Sequence, residues 1–298
     1  MNATYPYLGQ MLALLSSIIW AFAVILFRKS GETVHPIALN LFKNLLAIIL
    51  ILPTMAIFHQ SLILAVPLNK YLIFLLSGIL GMAIADTLFF MSLNKIGASL
   101  IAIVACTYSP FIITLSVIFL KESLAILQIF GAVLIVLAVL LTMRIKHIDH
   151  ITRRTILLGI LWGTLSNAAT AVGIILIKPL LSTTPLLWAT EIRLIGGFLS
   201  LLIVTLFLPM RRQIFMSLST MKGLGYSIGG TIVGTYLAVI IWLAGMKYTS
   251  ASIASALNQT SSVFVFLFAA LILKEKVTLH RTLTIILAIA GVFLVFLG

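Results

Sequence analysis

Acidic residues are nearly missing from this sequence. Six Asp and Glu are spread over 298 residues, and all charged residues together make up 8%. A soluble domain carries about 25%, so no water-facing shell can be assembled from this chain. Cysteine is equally scarce. Cys106 stands alone, which excludes an intramolecular disulfide framework. No H-E-x-x-H, G-x-S-x-G or phosphate-binding glycine loop occurs, so the usual metalloprotease, serine hydrolase and nucleotide-driven chemistries lack their residues. His147-Ile148-Asp149-His150 offers three metal-type side chains. A stable site wants about four ligands, and the stretch reads as a solvated loop. No metal, no cofactor and no enzymatic role are expected. Long polar stretches are also lacking. The longest breaks, residues 144–155 and 209–221, leave no room for a soluble catalytic module.

What is present is apolar. Hydrophobic residues make up 62%, and the mean hydropathy is +1.27. Apolar runs alternate with short polar breaks. They predict helices over residues 8–27, 36–58, 70–93, 98–120, 125–143, 156–177, 185–208, 222–246, 250–273 and 279–297. Each is near the roughly 20 residues that cross about 30 Å of hydrocarbon. Helices are required because backbone polar groups in lipid must be satisfied within the segment. The fold class is therefore an all-α, multi-pass membrane protein with ten transmembrane helices, placed in the bacterial inner (plasma) membrane. The first segment lacks a basic leader and is not expected to be a cleaved signal. The net charge of +13 raises a nucleic-acid reading. Most Lys and Arg, however, sit singly at helix ends, where they orient the protein and meet lipid headgroups. No nucleic acid is expected as a partner. Counting Lys and Arg along the loops puts both termini outside and the 144–154 loop in the cytoplasm.

The chain also repeats itself. The stretch from Ala98, A-S-L-I-A-I-V-A-C-T-Y-S-P-F, returns from Ala251 as A-S-I-A-S-A-L-N-Q-T-S-S-V-F at an offset of 153. Ser99/Ser252, Thr107/Thr260, Ser109/Ser262, Phe111/Phe264, Lys121/Lys274 and Glu122/Glu275 are identical pairs, and Gly81/Gly234 keeps the offset. Arg28/Lys178 and Lys43/Arg193 match at an offset of 150. Each half, residues 1–148 and 149–298, thus reads as five helices. Five is odd, so the halves are expected to be inverted relative to each other, the arrangement that supports alternating access around a site at the repeat interface. The Lys-Glu steps read as local devices, with the cation ending one helix and the carboxylate starting the next.

Two five-helix halves, a basic residue in each second helix and a Lys-Glu step after each fourth resemble the drug/metabolite transporter superfamily. Within it the chain resembles the EamA family of ten-helix carriers. The resemblance covers the whole chain. It implies transport of small organic solutes, often export of amino acids or related metabolites.

Charges inside hydrocarbon cost at least about 2.5–3.5 kcal/mol on insertion scales, so each needs a reason. Lys43, Asp86, Glu191 and Arg193 stand out as coupling or charge-pairing residues. Glu191 and Arg193, two apart on one helix, cannot face each other. Asp86–Arg193 and Glu191–Lys43 are the expected pairings. Asp86 has the apolar repeat mate Val239, which favours a substrate or proton site over a repeated structural pair. Cys106-Thr107-Tyr108-Ser109-Pro110 stands at the same depth as Asn258-Gln259-Thr260-Ser261-Ser262. Two polar clusters at the middle of repeat-related helices suit a site on a pseudo-twofold axis. Thr107, Tyr108, Asn258 and Gln259 are the substrate-binding candidates. Pro110 breaks the backbone ladder beside Tyr108. Trp20, Trp162, Tyr236 and Trp242 are candidate cavity walls, and Trp188 reads as an interface anchor. Gly159-x3-Gly163, Gly225-x3-Gly229 and Gly230-x3-Gly234 read as close helix contacts.

The function expected is a secondary carrier of a small polar or zwitterionic metabolite, foremost an amino-acid-type exporter working by alternating access. The alternatives are a carrier for an organic cation, choline-like or drug-like and held by aromatic faces and Asp86, and, in a different class, a membrane-embedded enzyme or scaffold. The partners expected are the solute, the lipid bilayer and protons, with the chain as a monomer or homodimer.

Overall fold

The computed structural model describes residues 7–121, 125–143, 152–218 and 221–297. Within them the chain is a bundle of helices without strands. Seven helices are long and apolar enough to cross a membrane, and three shorter apolar helices complete the set. The chain is a multi-pass membrane protein of about ten helices. They are α1 (Leu8–Ser30), α2 (Pro36–Ile57), α3 (68–96), α4 (98–120), α5 (Ile126–Met143), α6 (Arg153–Leu181), α7 (Leu186–Phe207), α8 (221–248), α9 (Ala251–Leu271) and α10 (Leu279–Leu297). A short helix, Arg211–Leu218, lies between α7 and α8.

The boundary between α3 and α4 is one glycine. Leu68–Ala105 runs on as helix except at Gly97, whose φ of 78° and ψ of 176° interrupt it. A side chain is strained at that φ, and a Cβ there would press on the carboxylate of Glu275. Glu275 explains the break. Its carboxylate accepts from Ala98 N–H at 2.8 Å, Ser99 N–H at 2.9 Å and the Ser99 hydroxyl at 2.6 Å. It thereby caps the N-terminus of α4 from the other half of the chain, where negative charge is favoured. At the second Lys-Glu step the carboxylate is therefore not the local device that the sequence suggested. Lys121 directly follows α4 and Lys274 lies three residues past α9, both in the left-handed region, at φ 56° and 55°. Glu122 lies outside the described residues, as do the His147–His150 motif and most of the 144–154 loop.

The halves repeat irregularities as well as sequence. Ile79–Ala85 in α3 and Thr231–Ala238 in α8 are both π-helical. They correspond at the 153-residue offset and hold Gly81 and Gly234. The α4 and α9 helices are both interrupted, at Cys106–Thr107 and Gln259–Thr260. Pro110 contributes to the first break, since it has no N–H to return to the Cys106 carbonyl. Proline is not the common cause, because α9 has Val263 at that place. Both breaks share a threonine whose hydroxyl donates to the carbonyl three residues back, Val104 O and Leu257 O, each at 2.7 Å. Such back-bonding competes with the helix ladder.

Small residues set the packing. Gly159 and Gly163 bring α6 against Ile96, Ile101 and Val104, and Gly230 and Gly234 bring α8 against Phe27 and Ala23 of α1. Gly225 differs from expectation, since nothing lies within 4 Å of where its Cβ would be. Gly131 and Gly291 place α5 and α10 in backbone contact. The α3–α7 contact is also backbone to backbone. Gly78 sits on the Arg193 backbone, Gly196 on the Leu75 backbone and Gly197 on Met82.

Candidate functional site

A cavity is bounded by α1, α2, α3, α4, α6, α7, α8 and α9, with a volume of about 140 Å³. One water needs roughly 10–15 Å³ of such space, so a solute of about ten heavy atoms fits. Both helix breaks and both π segments border it through Tyr108, Gln259, Gly81 and Thr235. Discontinuous helices free backbone groups beside a cavity without exposing them to lipid.

Each break is tied to the opposite half. Asn167 of α6 donates its Nδ2 to Thr107 Oγ1 at 2.9 Å and to Val104 O at 2.9 Å. Ser17 of α1 shares a hydrogen bond of 2.9 Å with Thr260 Oγ1. Ser17 and Asn167 are mates at the 150 offset, and Thr107 and Thr260 at 153. The same contact is therefore made twice with the halves exchanged. Beside it, Asn258 Nδ2 donates to Ser16 Oγ at 2.9 Å. Sequence reasoning missed Ser16, Ser17, Ser166 and Asn167. The signal was available, since Ser16 and Ser166 are identical at the offset already established by Lys43 and Arg193.

Of the expected substrate-binding residues, Trp20, Tyr108, Trp242, Asn258 and Gln259 line the cavity. Thr107 lies behind the wall, held by Asn167. Tyr236 turns away toward α2, where its hydroxyl and Thr54 Oγ1 are 2.6 Å apart. Trp162 is not in the wall and stacks under the Lys95 ammonium, 4.9 Å from ring centre. Trp188 is no interface anchor. It is fully buried, its indole N–H donates to Leu62 O at 2.8 Å, and Tyr71 and Phe74 pack edge-on against it.

Neither ion pair expected from the sequence forms. Lys43 Nζ meets Asp86 Oδ2 at 2.6 Å and Asn44 Oδ1 at 2.9 Å. Both charges line the cavity. Asn40 and Asn44 hold the adjoining π segment by donating to Met82 O, with Asn40 also donating to Ala83 O and Thr87 Oγ1. Neither asparagine was singled out by the sequence, because amides one turn apart on an apolar helix also suit plain helix contacts. Arg193 lines the cavity too. Its Nε donates to Ser77 Oγ at 3.0 Å, and Ser77 passes the bond to Gly173 O at 2.6 Å. Glu191, also on α7, is fully buried and does not line the cavity; neither of its carboxylate oxygens has a hydrogen-bond partner among the described residues. Four further buried polar atoms of the cavity wall have none either: Arg193 Nη1, Tyr108 Oη, Trp242 Nε1 and Gln259 Oε1. No group of three or more His, Cys, Asp or Glu assembles among the described residues.

Comparison with known proteins agrees with this architecture. The profile of the EamA-like transporter family matches twice, over residues 7–144 and 157–297. An uncharacterized transporter of Archaeoglobus fulgidus is 21% identical over 97% of this chain and 95% of its own. One of Methanothermobacter thermautotrophicus is 26% identical over 76% of this chain, which covers 65% of that relative's length. A protein of known crystal structure superposes with a TM-score of 0.72 over 97% of this chain and 96% of its own, at 16% identity, a likeness of fold alone. Helix count, doubled polar breaks and a doubled profile match converge, and the chain belongs to the EamA-like transporter family.

Proposed function

We propose that the chain is a secondary carrier of a small polar or zwitterionic metabolite, of the amino-acid type, moved outward by alternating access. The observation that carries this reading is the cavity at the meeting of the two helix breaks, lined by groups from both halves. The twice-made contact, Asn167–Thr107 and Ser17–Thr260, supports an inverted relation between residues 1–148 and 149–298. Exchange of conformations between such halves opens the site to either side in turn. The organic-cation reading keeps aromatic faces in Trp20, Tyr108 and Trp242. Its carboxylate, Asp86, is already paired with Lys43.

The test is counterflow in proteoliposomes. Vesicles loaded with single unlabelled amino acids should take up the labelled one in a saturable, protein-dependent way. Gln259→Ala should raise the half-saturating concentration while leaving the protein folded. If the folded protein exchanges no amino acid across a complete panel, the reading fails.

A further inference from the structure

Three charges line the cavity: Lys43, Asp86 and Arg193. Lys43 and Asp86 cancel across 2.6 Å. Arg193 has no carboxylate within ion-pairing distance among the described residues, and shares the field of Asp86 with Lys43. The repeat shows why. Lys43 corresponds to Arg193, but Asp86 corresponds to Val239, which lines the cavity without charge. The first half supplies a cation with its acid, and the second supplies a cation alone.

Arg193 is also held in place rather than free to escape to water. It is 1% exposed, its Nε is fixed on Ser77, and Ser77 is fixed on the Gly173 carbonyl. Its Nη1 has no partner among the described residues. Two other unpartnered donors stand around the same space. The Tyr108 hydroxyl has no partner among the described residues and lines the same cavity. The Trp242 indole N–H belongs to a ring 6.4 Å from the Tyr108 ring. These groups come from three helices, α7, α4 and α8. A buried donor left unpaired is costly, and guanidinium binds carboxylate with directed, charge-assisted bonds.

The geometry points to Arg193 as the seat of a carboxylate on the cargo, with Tyr108 and Trp242 as flanking donors. The cargo is a small metabolite of about ten heavy atoms that carries a carboxylate. An amine without one has no counter-charge here. Occupation gives the Arg193 guanidinium a carboxylate to pair with, while a zwitterionic cargo leaves the net charge of the cavity unchanged. This deepens the carrier reading and rests on it.

The test uses the purified full chain in detergent micelles and thermal-shift titrations. The probes are the proteinogenic L-amino acids, their amides and the amines left by removing the carboxyl group. Acids should raise the unfolding temperature, and matching amides and amines should bind at least 10-fold more weakly. Arg193→Gln should abolish the shift, and Arg193→Lys should restore only part of it. Trp242→Phe keeps the ring and loses only the N–H; it should weaken acid binding about 5-fold. That variant carries the test if Arg193→Gln does not fold. An amide or amine that binds as tightly as its acid overturns the assignment. So does undiminished acid binding by Trp242→Phe together with either Arg193 variant, or a panel in which no acid binds. Counterflow separates the two readings. Equal exchange of acids and amides removes the carboxylate seat and leaves the carrier. Arg193-dependent binding with no exchange of any probe removes the carrier and leaves the seat.

Discussion

Lys43 is tolerable in this interior because of a single carboxylate. It is 2% exposed, and Asp86 and Asn44 receive its ammonium protons. Removing one partner of a buried pair strands the other, at about 3–5 kcal/mol. Asp86 remains partly exposed, so the lower end applies. Asp86→Asn should therefore lower the stability of the purified protein by about 3 kcal/mol, and the double variant Lys43→Gln/Asp86→Asn should recover most of it in thermal unfolding. No recovery would mean that Asp86 serves something other than Lys43. Thr107→Val and Thr260→Val make a gentler pair. Each loses one interhelical hydrogen bond, worth on average about 0.6 kcal/mol, so each should shift unfolding only slightly and to a similar extent. The sequence pointed to Lys43, Asp86 and Arg193 because charge in a long apolar run is conspicuous. It did not reveal who pairs with whom. Pairing depends on how α2, α3 and α7 approach one another, and that approach is set by glycines and asparagines scattered over three segments.

Between elements, the two halves differ where backbones touch. Gly78, Gly196 and Gly197 close α3 on α7. Their repeat mates are Thr231, Leu46 and Ala47, so α8 cannot lie on α2 as closely. Gly196→Leu should push α3 and α7 apart at a cost of about 1–3 kcal/mol, the usual range for overpacking. In a Cys106→Ala background, disulfide formation between cysteines placed at Leu75 and Ile195 should fall in that variant, as read on a gel. Unchanged cross-linking would show that α3–α7 closure does not depend on the glycine. At the start of α2, the His35 ring Nδ1 accepts from Ile37 N–H at 3.3 Å, and burial lowers its pKa. Only the neutral ring accepts. The cap is present above the ordinary histidine range and is lost as pH falls through the lowered folded value. Amide exchange at Ile37 should accelerate on acidification more than intrinsic chemistry predicts, and His35→Asn should remove that excess. Gly97 was legible as a boundary, since two long apolar runs meet at N-K-I-G. The π segments were not, because nothing local in I-L-G-M-A-I-A distinguishes an extra residue per turn from an ordinary helix.

Taken whole, the molecule matches the family profile twice, and the two stretches carry unequal equipment. The shared part, breaks at Thr107 and Thr260 tied to Asn167 and Ser17, builds the cavity. The unshared part is Asp86 against Val239 and three glycines against Thr231, Leu46 and Ala47. Periodicity and the repeat made the fold plain before any coordinates. The pairing of these residues emerged only from side-chain contacts. The Glu275 cap has a consequence for how the protein is made. When α4 leaves the ribosome, the carboxylate that satisfies Ala98 and Ser99 lies about 176 residues further along and has not been translated. The first half must enter the membrane with that helix end unfinished and wait for the ninth helix to pass. An N-terminal fragment of residues 1–144 expressed alone should be degraded, and co-expression of residues 149–298 should rescue it. The same C-terminal fragment carrying Glu275→Ala should rescue it less, as measured by the half-life of the N-terminal fragment in a pulse-chase.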